Sequence, residues 1–203
     1  MKLPVFRTFA LVLAIVGLMA AGAGVASAQT DVYQINYFAN NLPAPVPDAK
    51  VRIDNPGLTY GNLCAMIYVF DSDQQMSECC GCVETHNGLR KLSVRSDLTG
   101  NPLTGVVSTS GVIKIVSAPF PIYGPGTFCE PSGPYTPTPD LRSWATHIED
   151  FAASNTGAVW PITGNAFSDE PLGAAELSAL QAQCMFIQIL GSGHGICSCG
   201  TGD

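Results

Sequence analysis

The sequence predicts a mainly β or α+β protein: an antiparallel β-sandwich of immunoglobulin-like size, with two C-terminal helices and a disulfide-stapled tail. Three observations lead there. Between residues 31 and 118, strand-sized runs rich in Val, Ile, Tyr and Leu alternate with turn residues. Beyond residue 140, two stretches place apolar residues at helical spacing. All eight cysteines lie downstream of an export-type leader.

The leader comes first. Residues 1–28 hold a basic start (Lys2, Arg7), an apolar run from Phe9 to Ala21, and small residues at Ala26-Ser27-Ala28. That order is the order of a secretory signal peptide, with cleavage expected after Ala28. The apolar run is shorter than the roughly 20 residues of a membrane anchor, and no basic cluster follows it. No span is expected after cleavage. The expected destination is the exterior or the periplasm.

A β domain is expected over 29–118, with strands at 32–38, 50–54, 63–70, 76–83, 89–94, 105–108 and 111–117. Residues 63–70 (LCAMIYVF) are almost wholly apolar, as in a central strand covered on both faces. Asp71 to Gln75 break the run and turn the chain into 76–83, and Asn87-Gly88 marks a second tight turn. A five-residue loop at 71–75 sets Phe70 against Met76 and, continued without interruption, Cys64 against Cys82. Opposed residues of an antiparallel pair lie within disulfide reach, so Cys64–Cys82 is the favoured bridge, with Cys64–Cys80 the alternative if the register moves by two residues. Alternation puts Cys80 and Cys82 on one face and Cys79 on the other, so Cys79 and Cys80 should have different partners.

Residues 119–139 form a connection rich in Pro and Gly, which excludes a central strand. Cys129 and several aromatic rings are expected to tie it to the body. A helical part is expected over 140–203. Asp140 would cap a first helix carrying Leu141, Trp144, Ala145, Ile148 and Ala152 on one stripe. A second helix, about 172–190, would bury Leu177, Leu180, Cys184 and Ile187 and end at Gly191, with Asp169 and Glu170 near its positive end. The glycine-rich tail is then held by Cys197 and Cys199.

Composition narrows the function classes. The 203 residues are 46% hydrophobic and 12% charged, against about 25% charged in an average domain. Without Lys2 and Arg7, seven basic residues face sixteen acidic ones, a net charge of −9. Such a chain repels phosphate backbones and anionic lipid, so no nucleic-acid partner is expected. An unknown protein or glycan ligand is.

The candidate site residues are the eight disulfide cysteines: Cys64, Cys79, Cys80, Cys82, Cys129, Cys184, Cys197 and Cys199. No catalytic, cofactor or metal residue is assigned. Cys79 and Cys82 form a C-x-x-C, redox-active at the start of a helix but here expected within a strand. Cys197 and Cys199 beside His194 lack the paired spacing of a zinc site. Asp71, Asp73 and Glu78 could hold calcium, although the EF-hand pattern fails at Met76 and Cys82. His147 is expected on the solvated side of the first helix, and His86 is expected to be exposed. No G-x-S-x-G elbow occurs. The loop 191–195 follows a helix, the wrong polarity for a phosphate.

Two blocks resemble segments that recur in uncharacterised secreted proteins of environmental bacteria. One is NLCAMIYVFDSDQQMSECCGC, continued through LRKLSVRSDLTGNPLTG; the other is ELSALQAQCMFIQILGSGHGICSCG. The resemblance implies export and a shared fold, and supplies no reaction. The function expected is therefore an exported, disulfide-stabilised, non-enzymatic binding or structural protein. Two alternatives are a secreted hydrolase of carbohydrate or peptide, with the 119–139 loop shaping a cleft, and a thiol–disulfide protein using Cys79 and Cys82.

Overall fold

A computed structural model describes residues 32–58, 61–101, 105–121, 128–154, 157–190 and 197–200. The signal peptide expected at 1–28 and the glycine-rich stretch expected to carry His194 as a loop lie outside them. The described chain is mainly antiparallel β: nine strands in two sheets, a small separate hairpin, one long helix and four disulfides.

The strands are β1 (Tyr33–Phe38), β2 (Lys50–Asp54), β3 (Leu63–Asp71), β4 (Met76–Glu84), β5 (Leu89–Ser93), β6 (Gly111–Pro119), β7 (Arg142–Ile148), β8 (Ala152–Ser154), β9 (Gly157–Val159), β10 (Ile162–Ala166) and β11 (Ser168–Asp169). The helix α1 spans Ala174–Leu190. A π-helical turn at Val94–Leu98 follows β5, capped by the Ser93 hydroxyl, which accepts from the Ser96 amide. The first sheet runs β11-β1-β6-β3-β4 and the second β10-β7-β2-β5. The expected strand at 105–108 is irregular backbone, with Val106 and Val107 exposed. Two adjacent valines in a polar setting give no alternation and bury no face.

Facing residues of both sheets share one buried cluster. The first sheet contributes Ala65, Ile67, Val69, Ile113 and Ile115, and the second Val51, Ile53, Leu92 and Ala145. Along one side the sheets are joined by a single run of chain, β10 pairing with β7 and β11 with β1. Phe167 marks the switch, buried, with its amide bonded to the Ser143 carbonyl. On the other side lie the edge strands β4 and β5. The tail at 197–200 occupies that seam. Cys197 donates its amide to the Cys79 carbonyl, Ser198 to the Asp97 carbonyl, and Arg90 of β5 donates to the Cys199 carbonyl. Edge strands expose unpaired backbone groups, and the tail satisfies some of them.

The other face of the first sheet carries a second buried cluster: Tyr33, Met66, Tyr68, Cys79, Val116 and Ala118 beneath Leu180, Cys184 and Ile187 of α1. Beside the helix, the chain around Cys129 covers β3 and β4, where the Tyr68 hydroxyl meets the Pro131 carbonyl and the Tyr135 hydroxyl. Gly81 permits that approach. A Cβ there would lie 2.1 Å from the Cys129 carbonyl oxygen. The glycine inside CCGC is thus a gap into which the Cys129 backbone packs.

Two expectations are corrected. The first C-terminal helix, from Asp140, is strand β7. Ser143, Ala145 and His147 alternate inward while Arg142 and Trp144 are exposed, which is a period of two. Asp140 precedes it with φ of 104° rather than capping a helix. Cys64 bonds to Cys129, not to Cys82. Phe70 does oppose Met76, but a bulge between Val69 and Phe70 shifts every later pair by one, setting Cys64 against Val83 and Cys82 against Ala65. One extra residue moves side chains to the opposite face. Cys64 therefore looks towards the helix side and Cys82 into the space between the sheets.

Candidate functional site

The eight cysteines, all buried but the half-buried Cys199, resolve into four bridges: Cys64–Cys129, Cys79–Cys184, Cys80–Cys197 and Cys82–Cys199. Cys79 and Cys82 point to opposite faces of β4, are fully buried, and have different partners. That placement gives the C-x-x-C neither an exposed sulfur nor a shared bond. Cys80 and Cys82 point the same way, their sulfurs 3.9 Å apart. Two C-x-C pairs, one on β4 and one on the tail, thus make adjacent bridges. Cys80, Cys82 and Cys199 bring three sulfurs within 4.8 Å of one another, and all three are oxidised.

Other sequence candidates separate. Asp71 Oδ1 accepts from the amides of Asp73 and Gln75, so that carboxylate organises its own turn. Glu78, on β4, is pushed up to about 7 by burial, and a Cβ on Gly100 would come 2.4 Å from its Oε1. His86 is exposed beside the Asn87 turn. His147 is buried, against expectation, because the strand aims it inward. Its Nε2 donates to Asn165 Oδ1 at 2.8 Å, an oxygen that also accepts from Asn36, while Tyr37 stacks on the ring at 4.2 Å. No hydrogen bond among the described residues joins this imidazole to a nucleophile or a carboxylate; its Nδ1 is buried without a partner.

The second sheet has one face on the core. Register defines the other. Across its four strands, Ala166, Trp144, Arg52 and Lys91 stand side by side; Gly164, Thr146, Lys50 and Ser93 form the next row; Arg142, Asp54 and Leu89 form the row on the opposite side. At strand spacings of about 4.8 Å and two-residue steps of about 6.7 Å, these rows cover a plane roughly 14 Å on each side. Trp144 is 38% exposed near its centre, with small residues on β10 flanking the ring. None of the described residues seats a helix or loop over it as α1 covers the first sheet.

Charge singles out the same plane. Of the seven basic residues beyond residue 28, Lys50, Arg52, Lys91 and Arg142 occupy it. The other three are engaged: Arg90 with Glu84, Lys114 with Glu176, and Arg95 with the carbonyls of Val46 and Pro47. Lys50 pairs with Asp48. Burial alone would raise the Asp48 carboxyl, but hydrogen bonds from Lys50, Ser93 and the Arg95 amide outweigh it and hold the group below its ordinary range, so the pair is ionic. That leaves Arg52, Lys91 and Arg142 without an ion-pair partner among the described residues, with Asp54 the acidic residue among them.

Sequence reasoning missed this face. Its residues come from positions 50 to 166, and Trp144 reads as part of a helical stripe. The signal available was slight: in an acidic chain, Arg90 and Lys91 have no acidic neighbour within five residues. Compared with protein-family models, curated proteins and solved structures, the chain matches none.

Proposed function

We propose that the chain is an exported, disulfide-stabilised, non-enzymatic binding protein of the cell envelope or exterior, acting through the outer face of its second sheet. On this reading residues 1–28 are a cleaved signal peptide, and the two sheets form a sandwich of immunoglobulin-like size. Four disulfides fit an oxidising, non-cytosolic setting. No helix among the described residues is long and apolar enough to cross a membrane.

One observation carries the binding reading: a sheet face centred on Trp144, uncovered among the described residues, that gathers the cations left without an ion-pair partner among them in an acidic chain. Flat aromatic and cationic surfaces suit recognition of extended ligands, whereas hydrolysis needs converging acid, base or nucleophile groups. The test uses the mature, oxidised chain on arrays of glycans and envelope proteins, read for retention and for released product. Retention that falls about tenfold in Trp144→Ala, with no product, is the expected result. Retention indifferent to Trp144 overturns the role of this face. Release of shortened glycans or peptides by the purified chain overturns the non-enzymatic reading in favour of the hydrolase.

A further inference from the structure

The chemistry of this face narrows its ligand, on the premise that the face is a binding surface at all. We propose that it takes a uronic-acid polysaccharide, one sugar ring lying on Trp144 and neighbouring carboxylates meeting Arg52, Lys91 and Arg142.

The argument starts from the mixture of groups. A pyranose presents a face of C–H bonds that lies flat on an indole ring, and its hydroxyls lie in the ring plane where side chains beside the indole can reach them. Trp144 supplies the ring, exposed and set between Ala166 on one strand and Arg52 on the other. The small side chains of Gly164 and Ala166 leave the β10 side of the ring low. The hydroxyls of Thr146 and Ser93 in the adjoining row are engaged within the fold, Thr146 with the Lys50 backbone and Ser93 with Asp48 and the Ser96 amide, so the ring and the cations beside it carry the recognition. A protein ligand would ask for a more continuous apolar core than Trp144 with Leu89 and Ile162, which stand in separate rows of the face, provides.

Charge then selects among glycans. Arg52 and Lys91 stand on neighbouring strands, and Arg142 lies one two-residue step from Trp144 along β7. An arginine fork matches a carboxylate with two parallel hydrogen bonds. A neutral glycan would leave these three cations without use. A densely charged polymer would gain at this face but be repelled by the rest of a chain carrying a net −9 beyond residue 28. Single-stranded nucleic acid also wants several aromatic rings in series, and this face offers one. A polymer with at most one carboxylate per sugar fits three free cations on an acidic protein.

The experiment titrates the mature oxidised chain with polygalacturonate and alginate oligomers, and with a neutral glucan, dextran sulfate and single-stranded DNA of matched length, by calorimetry. Expected are binding of the uronates, at least about tenfold weakening at roughly 0.5 M NaCl, and no measurable binding of the glucan. Trp144→Ala should weaken uronate binding about tenfold or more, and the triple variant Arg52→Gln, Lys91→Gln, Arg142→Gln should remove both the affinity and its salt dependence. Near-UV circular dichroism and a count of zero free thiols show that each variant is folded. Equal binding of the glucan, tighter binding of dextran sulfate or DNA, or full affinity in the triple variant overturns the uronate assignment, and so does failure of both uronates to bind. Those outcomes leave the Trp144-dependent retention on the arrays standing; only indifference to Trp144 there overturns the premise.

Discussion

The outer faces of the two sheets are treated in opposite ways. On the first sheet, α1 and the Cys129 segment bury Tyr68, Met66 and Val116, and bridges from β3 and β4 bond both covers to the sheet. On the second sheet, Trp144, Leu89 and Ile162 are exposed on a face that carries four cations. The other two bridges secure the tail in the seam between the sheets. Every cross-link therefore stabilises the covered sheet or its edge. A chain with 12% charged residues has few ways to keep a bare face soluble, and it concentrates its spare cations on the one it leaves open. Covering stabilises; leaving bare is useful only if something else binds there.

The largest effect separates bridges that close loops from bridges that duplicate a closure. Cys80–Cys197 and Cys82–Cys199 each span 117 residues. In the chain-entropy account a loop of that length is worth about 5 kcal/mol by itself, but Cys79–Cys184 already closes most of it and leaves the first tail bridge a loop of about 15 residues, worth about 3 kcal/mol, and with that bridge in place its neighbour closes only a few residues and adds about 2 kcal/mol or less. Removing one pair (Cys82→Ala with Cys199→Ala) should therefore cost about 2 kcal/mol, and removing both pairs about 5. Denaturant unfolding of the two variants measures it. Equal costs for the first and second removal would mean that each bridge acts alone, and that the tail is not a single latch.

How much of this was legible follows the same division. The hairpin from 63 to 84 could be read, loop included, because an apolar strand, an acidic turn and a second strand leave little choice. The bulge could not be. Ser77 and Glu78 are consecutive polar residues that suit either register, and the choice between them decides whether Cys64 shares a face with Cys80 and Cys82 or with Cys79. The second helix could be read from Leu180, Cys184 and Ile187, which are its buried residues. The first could not be distinguished from a strand. Two of the inward residues of β7, Ser143 and His147, are polar and hydrogen-bonded or enclosed within the fold, while outward Trp144 is apolar. Burying polar groups and exposing an aromatic one erased the alternation and left a false helical stripe. The proposed binding face was illegible for the same reason: its tryptophan breaks the pattern because it is not part of the core.

A second, smaller effect lies at the seam edge, in Glu78 of β4. Burial without a cationic partner pushes its carboxyl from the ordinary 4.5 up to about 7. Between those values the folded chain holds a proton that the unfolded chain has released. Stability is fully present below about pH 4.5 and falls as pH rises to about 7, by on the order of 2 kcal/mol. Glu84 contributes with the same sign, since burial outweighs the pull of Arg90 and raises it to about 7. Asp48, Glu130 and Glu176 are held low and work in the opposite direction in the acid range. The difference between the native chain and Glu78→Gln isolates the one group. Melting curves from pH 4 to 8 should show the variant gaining relative to the native chain as pH rises; a constant difference would mean that Glu78 is solvated and the seam more open than its packing against Gly100 implies.

The smallest expected effects are on the bare face, and their smallness is the point. Arg52→Gln, Lys91→Gln and Arg142→Gln remove charges that no ion pair holds, so each should change the unfolding free energy by no more than about 0.5 kcal/mol. Trp144→Ala loses part of a ring already 38% exposed and should cost about 1 kcal/mol. Leu180→Ala, on the covered side and 1% exposed, should cost 2–5 kcal/mol, at about the usual scale for a buried leucine. The two groups should separate again, in reverse, when ligand retention is measured: Leu180→Ala, while folded, should retain ligand as the native chain does. A tryptophan whose loss costs as much stability as Leu180 would be serving the fold, and the contrast between the faces would then be one of packing rather than of use.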